Sequence, residues 1–309
     1  MIKKQGQGMG HLAQQRMLWF LFVWGWFGWV TAIQALAGQA VPERVVSLSP
    51  IITETLYLVG GEEKLIANTT YCNVPEAAQF KEKIGSVIQM NVEKIIRLKP
   101  DLVIASPLSK EKQLQILEKM SIRVVRAENP RTFDQMCRMT LDLGRTLGRS
   151  EQARKIVDQA RRQAGIILEK TAPLEKPRVF LQIGIKPLHS ANKEMFINEY
   201  IRFGGGINIA ENERSGVYSR EKVLAVDPDV ILIATMGTSK KARIQEKKKW
   251  QVYKNMKAVR NGRIHLLDPE INSPTPVTFV KGLKQILPLL HPGLAPEDHY
   301  YTEAPIDSQ

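Results

Sequence analysis

Histidine and cysteine are scarce in this chain, five and two respectively in 309 residues. Cys72 and Cys137 are the only cysteines, and their separation of 65 positions fits neither a Cys-x-x-Cys redox pair nor a compact zinc site. Two readings of the pair stay open: a disulfide, worth ~4 kcal/mol in the chain-entropy model, or two ordinary buried thiols. No G-x-S-x-G elbow, H-E-x-x-H pair or G-x-x-x-x-G-K phosphate loop occurs, which removes the common hydrolase, zinc-protease and P-loop signatures. Gly204–Gly206 follows a predicted helix and does not open one after a strand, so it is no dinucleotide fingerprint.

Charge is missing from one long stretch. Lys3, Lys4 and Arg16 precede an uncharged run from Met17 to Pro42, which holds four of the five tryptophans and ends near Ala35-Leu36-Ala37. A positive start, an apolar middle and a small-x-small site make residues 1–37 a predicted signal peptide. An uncleaved membrane anchor is the alternative, since the apolar part is long. Neither cysteine lies near the cleavage site, so no lipid-bearing N-terminal cysteine is expected, and the location implied is the periplasm. After cleavage about 270 residues remain, ample for two lobes with real cores. The formal charge of +13 is then little reduced, and much of it is local: eight cations against the lone Glu246 between Lys240 and Lys257. A solvated helix or loop accounts for such a run, and export argues against nucleic acid. Attraction to anionic lipid or to an acidic ligand is the functional option.

What the chain does contain is one phrase written twice. Residues 91–105, NVEKIIRLKPDLVIA, are echoed by residues 219–233, SREKVLAVDPDVILI. Asn91 and Ser219 are helix-capping residues. Glu93 and Glu221 stand two residues later, where a carboxylate complements the helix dipole. Pro100-Asp101 and Pro228-Asp229 then end each helix. The unbroken apolar runs Leu102–Ala105 and Val230–Ile233 fit strands buried on both faces of a parallel sheet. Two related α/β lobes are expected, each with one carboxylate at an equivalent place.

Read in order, the first lobe covers 41–130. It has strands at Val45–Ser49, Leu65–Asn68 and Ile122–Arg126, helices from Pro50 to Gly60-Gly61 and near Lys110–Met120, and the loop TTYCNVP at 69–75. A helical connector at 131–172 follows. Thr132 and Gln135 suggest a capping box, and Ser150 caps a second helix whose Ala153, Ile156, Val157, Ala160, Ala164, Ile167 and Leu168 keep a three-to-four rhythm to Thr171. Some twenty helical residues span ~30 Å, enough to cross between lobes, and a stiff rod implies small motions on ligand binding. The second lobe, 177–292, has strands at 178–184 and Arg263–Leu267 and helices at Glu194–Phe203 and Val277–Leu290. The tail, 293–309, is expected to be loose.

From Arg44 to about Pro292 the chain resembles the periplasmic binding proteins of the vitamin B12 and iron-chelate uptake family, the substrate receptors of ATP-driven importers. The resemblance rests on RVVSLSPIITETLYLVG, NVEKIIRLKPDLVIA, RVFLQIGIKP with FINEYIRFGGGINIA, and SREKVLAVDPDVILI. It implies an α/β fold of two lobes with parallel-type sheets flanked by helices, joined by one long α-helix, with ligand held between the lobes. It further implies a binding protein and no enzyme, a monomer without a cofactor of its own, whose cargo is a corrinoid or another metal chelate. The partner implied is an ABC permease and ATPase complex at the inner membrane, docked through Glu93 and Glu221 against arginine clusters. An exported metal-chelate processing enzyme and a membrane-anchored scaffold are the alternatives.

Ligands of open α/β folds sit beyond the carboxyl ends of the strands. That rule selects Ser49, Pro50, Tyr71, Ser106, Pro107, Gln182, Gly184 and Met236, with His189, Tyr218, Arg220, Asp268 and Glu270 on nearby loops. Tyr71 matches an aromatic clamp position of cobalamin-binding relatives, whereas two tryptophan positions read Val87 and Ser106 here. His189 or Tyr71 could ligate the iron of a haem.

Overall fold

Strands and helices alternate around two sheets in the computed structural model, which describes residues 40–235 and 238–294. The expected signal segment and the tail from residue 295 lie outside the described residues. Among the described residues, no helix is long and apolar enough to cross a membrane. From Pro42 onward the described residues form one compact unit.

The first sheet is wholly parallel. Its strands β1 (Val45–Ser47), β2 (Leu65–Asn68), β3 (Glu82–Lys83), β4 (Leu102–Ala105) and β5 (Arg123–Arg126) lie in the order β3-β2-β1-β4-β5. Helices α1 (Pro50–Leu58), α2 (Val92–Arg97) and α3 (Glu111–Lys119) make its crossovers. Alternate side chains feed opposite cores: Val45, Leu102 and Ile104 on one face, Val46, Val103 and Ala105 on the other. Two helices follow, α4 (Phe133–Thr146) and α5 (Ser150–Thr171).

The second sheet has strands β6 (Arg178–Gly184), β7 (His189–Ser190), β8 (Ile207–Asn208), β9 (Val230–Ile233) and β10 (Ile264–Leu266). Its order is β10-β9-β6-β7, with β8 beside the first residues of β6. β7 runs antiparallel to β6, so this sheet is mixed, where a parallel one was expected. Its helices are α6 (Asn198–Phe203), α7 (Arg220–Val226), α8 (Lys240–Gln251), the single turn α9 (Lys257–Arg260) and α10 (Pro276–Leu290).

The connector is more than one rod. α4 gives Phe133, Met136 and Cys137 to the second lobe's core and Met139, Leu143 and Leu147 to the first. α5 divides likewise, Ala153 and Ile156 against Val157, Ala160, Ala164 and Ile167. Val277 of α10 also joins the first core. Three helices shared by two cores resist relative motion better than a strand hinge would. Helix starts differ in detail from expectation. Arg149, not Ser150, holds the cap position of α5. Thr132 accepts the Gln135 amide, but the Gln135 side chain reaches back to Arg131 N and does not close a reciprocal box.

α4 and α5 come close together at Gly144. A Cβ there would collide with Ala153 Cβ and lie 3.2 Å from the Arg149 carbonyl oxygen. Gly144→Val is expected to cost about 1–3 kcal/mol by prising the pair apart. A thermal melt checks this, and an unchanged Tm would show that the two helices part freely.

The cysteine question resolves to free thiols, which corrects the disulfide option. Cys72 is buried beside the hydroxyls of Thr53 and Thr69, each 3.2 Å from its sulfur. Cys137 sits in the second lobe's core, where burial pushes its thiol up to about 11. Each sulfur is held in its own packing environment, so no bond is made. Reductant should therefore leave Tm unchanged, and a thiol reagent should titrate both groups only after unfolding.

Candidate functional site

The duplicated phrase builds the same device in each lobe. In the first, Asn91 Oδ1 accepts from Lys94 N at 2.9 Å, and in the second Ser219 Oγ accepts from Lys222 N at 3.1 Å. Each capped helix carries its glutamate, exposed, in the first turn. The repeated lysine anchors the helix start both times, Lys94 to Glu82 and Lys222 to Glu213. Lys99 and Asp227, the residues before the prolines, both adopt positive φ, 46° and 51°. The repeated aspartate then ties the neighbouring strand. Asp101 accepts from Glu43 N and Arg44 N at 2.8 and 3.1 Å, and Asp229 accepts from Arg178 N at 2.8 Å. β1 and β4 pair in one lobe as β6 and β9 do in the other.

Placement of the glutamates follows. A helix that leads into a strand of a parallel sheet runs opposite to it, so its N-terminus lies toward the sheet's carboxyl edge. Glu93 and Glu221 thus stand at that edge of their respective sheets. The Glu221 carboxyl is held below the usual carboxylate range by hydrogen bonds from its own backbone and from Ser219, so it is charged at neutral pH.

Both carboxyl edges line one cavity of about 630 Å³. Pro107 follows β4, Glu128 and Asn129 follow β5, and Ile183 is the next-to-last residue of β6. Arg131 and Glu194 close part of it with an ion pair at 3.1 Å that joins the start of the connector to the second lobe. Among the described residues, Pro107 is the only expected ligand residue that lines this cavity. Glu128, Asn129, Arg131 and Glu194 were not anticipated, because isolated polar residues in loops carry no periodic signal.

Tyr71 is 65% exposed on the loop after β2. Ile88, after β3, and Leu108, after β4, are exposed apolar side chains on neighbouring loops at the same edge. Ser49 and Ser106 are buried. Ser106 is occupied in its own turn, its Oγ accepting from Leu108 N at 3.3 Å. Pro50 is the first residue of α1 and is half-buried. Gly184 must lack a side chain, since a Cβ would lie 2.9 Å from His189 Cβ across the β6–β7 turn. His189 itself is half-buried on β7. Asp268 is exposed after β10, and its backbone N–H donates to Gln285 Oε1 at 3.3 Å. Met236 and the side chain of Glu270 lie outside the described residues.

Three expected ligand residues turn inward instead. Gln182 is fully buried, its Oε1 accepting from Trp250 Nε1 at 2.7 Å and its Nε2 donating to Glu246 Oε2 at 3.2 Å. Arg220 pairs with the same carboxylate at 2.7 Å and lies over the Trp250 ring, 4.3 Å from its centroid. Tyr218 packs 5.4 Å from Phe180 and donates to the Ile209 carbonyl. For Gln182 and Arg220 the reason is Glu246, a 1% exposed carboxylate that also holds Lys249. Its signal was present in the sequence: a single acid in a lysine run, one helical turn before Trp250.

Comparison with known proteins places these features in context. A family model described as "Periplasmic binding protein" matches residues 45–271. The chain is 32% identical over 206 residues to the vitamin B12-binding protein of Yersinia pseudotuberculosis, covering 66% of this chain and 73% of that protein. Among solved structures, the periplasmic vitamin B12 binding protein of Vibrio cholerae superposes with a TM-score of 0.69 at 27% identity, over 81% of this chain and 96% of that one. A periplasmic heme binding protein of Pseudomonas aeruginosa superposes with a TM-score of 0.69 at 25% identity, over 82% and 94%.

Proposed function

Because the chain belongs to the periplasmic binding protein family, of the type serving ABC importers of vitamin B12, haem and iron chelates, we propose that it captures a planar metal chelate, a corrinoid first, between its lobes. The observation that carries this reading is the cavity shared by the carboxyl edges of both sheets. Its volume is in the range of small-molecule sites, and that edge is where open α/β folds bind ligand. Relatives in this family are binding proteins, and the chemistry here suits binding too.

Several features favour a chelate over a bare ion. Among the described residues, no three His, Cys, Asp or Glu side chains converge as metal ligands would. Tyr71, Ile88 and Leu108 instead offer exposed apolar area on loops at the carboxyl edge of the first sheet. Val87 and Ser106, which stand where cobalamin-binding relatives have tryptophan, are buried and offer no ring. Phe196 supplies an aromatic side chain to the cavity wall and Tyr71 an exposed ring on the loop after β2, so the ligand is defined more by the cavity walls than by a stacking clamp.

Absorbance titration of the purified protein with cobalamin, haem and ferric chelates tests this directly. Saturable binding of one of them is expected, and a flat response to all three would sink the reading. With the ligand that responds, Tyr71→Ala should weaken binding about tenfold, through lost ring contact. An unchanged Kd would place the ligand elsewhere.

The twin glutamates, on this reading, are the transporter contact. One exposed carboxylate per lobe, each on the same capped helix start, suits a two-fold permease bearing arginine pockets. The periplasm, reached through residues 1–37, is the location proposed.

A further inference from the structure

α8 carries most of the chain's local excess of positive charge, and its two faces differ. The inner face is fixed: Glu246 and Trp250 are buried, and Trp250 meets the Phe180 ring edge-on at 5.7 Å. The outer face repeats Lys241, Ile244, Lys248 and Val252 at three- and four-residue spacing, so these side chains share one stripe. All four are exposed, Ile244 by 39% and Val252 by 64%. Lys240, one turn before Ile244, and Lys254, just past the helix end, are two further exposed cations. Among the described residues, none of Lys240, Lys241, Lys248 and Lys254 has an acidic partner within ion-pair distance; Glu246, the one acid of the helix, points inward to Arg220 and Lys249.

Solvation alone explains exposed lysines but not the interleaved isoleucine and valine, which a solvated face would replace with polar residues. Cations alternating with aliphatic side chains match the interface of an anionic bilayer, where ammonium groups meet headgroup phosphates and the apolar side chains enter just below them. The stripe is also well placed. α8 follows β9 and α7 precedes it, so both helices begin at the carboxyl edge of the sheet, and the Arg220–Glu246 pair locks them side by side. Lys240 and Lys241 therefore lie on the part of the second lobe that carries Glu221.

We propose that the outer face of α8 is a membrane-contact surface for anionic phospholipid headgroups, which holds the protein against the bilayer beside its transporter. Only the orientation rests on the docking role of Glu93 and Glu221; lipid binding itself needs no permease.

The test is co-sedimentation of the soluble protein, recovered from the periplasm of an expressing cell, with lipid vesicles. Vesicles of equal parts phosphatidylglycerol and phosphatidylcholine should retain it at low ionic strength, and pure phosphatidylcholine should not. Lys241→Glu with Lys248→Glu should lower partitioning roughly tenfold or more, as should raising salt to about 0.5 M. Ile244→Ser with Val252→Ser should lower it a few-fold, and neither pair should move Tm or the ligand titration. Wild-type protein that ignores anionic vesicles, or binds neutral ones equally, overturns the proposal; so does an undiminished charge-reversal pair. Protein that ignores vesicles yet loses uptake on charge reversal also overturns it, and points to an acidic surface of the permease. A Glu93→Ala, Glu221→Ala variant should keep vesicle binding in full, which separates this outcome from failure of the docking reading.

Discussion

Reversing both carboxylates proposed for docking, Glu93→Arg with Glu221→Arg, should reduce ligand uptake by about a hundredfold or more while leaving ligand affinity within twofold. A hydrogen bond to a charged group contributes roughly 1.5–3 kcal/mol, and like charges set against each other across an interface cost several more. Two such contacts on a symmetric partner would add, because the sites lie on separate lobes and share no neighbours. Both side chains are exposed and belong to no core, so the fold should tolerate the change. Uptake in cells and the absorbance titration are the paired measurements. Full uptake by the double variant would remove the docking role. Single variants should fall between, since one intact contact still orients the complex.

Removing the Glu246 carboxylate should have the largest effect on stability. Glu246→Ala leaves a part-buried Arg220 without its carboxylate and the Gln182 amide with only the Gly184 carbonyl to donate to, and breaking a buried pair costs about 3–5 kcal/mol. The lower end of that range is expected, since Arg220 retains some contact with water and Lys249 is half exposed, where an ion pair is worth little. The pH dependence has a definite sign. Burial raises the Glu246 carboxyl, but hydrogen bonds from Lys249, Gln182 and Arg220 outweigh it and hold the group below its ordinary value. A depressed folded-state pKa contributes stability above the unfolded value of about 4.3, and that contribution is lost as pH falls through the folded one. The Tm gap between wild type and Glu246→Gln should accordingly be wide at pH 7 and narrow in acid below about pH 4. Equal melting at pH 7 would mean the network is idle.

The balance of forces at Glu246 also shows why some site residues could not be read from sequence. Gln182, Tyr218 and Arg220 sit where the chain leaves or approaches strand ends, and strand-end position alone recommends them as ligand contacts. In the structure these side chains face inward: a carboxylate 64 residues from Gln182 claims its amide and pairs with Arg220, and Tyr218 packs against Phe180. Pro107 and Tyr71 needed no such long-range information. A proline after a strand and an exposed tyrosine in a loop have nothing within their lobe to pull them inward.

Sequence by itself determined the duplicated architecture. Cap, glutamate, lysine, proline and aspartate are local signals whose physics acts within a helical turn, and the apolar runs after them can be buried only in a sheet. Tertiary structure alone decided how the halves share their cores, where Arg131 meets Glu194, and which way each polar side chain near the cleft faces. Those outcomes depend on contacts between residues far apart in the chain, and no local pattern encodes them.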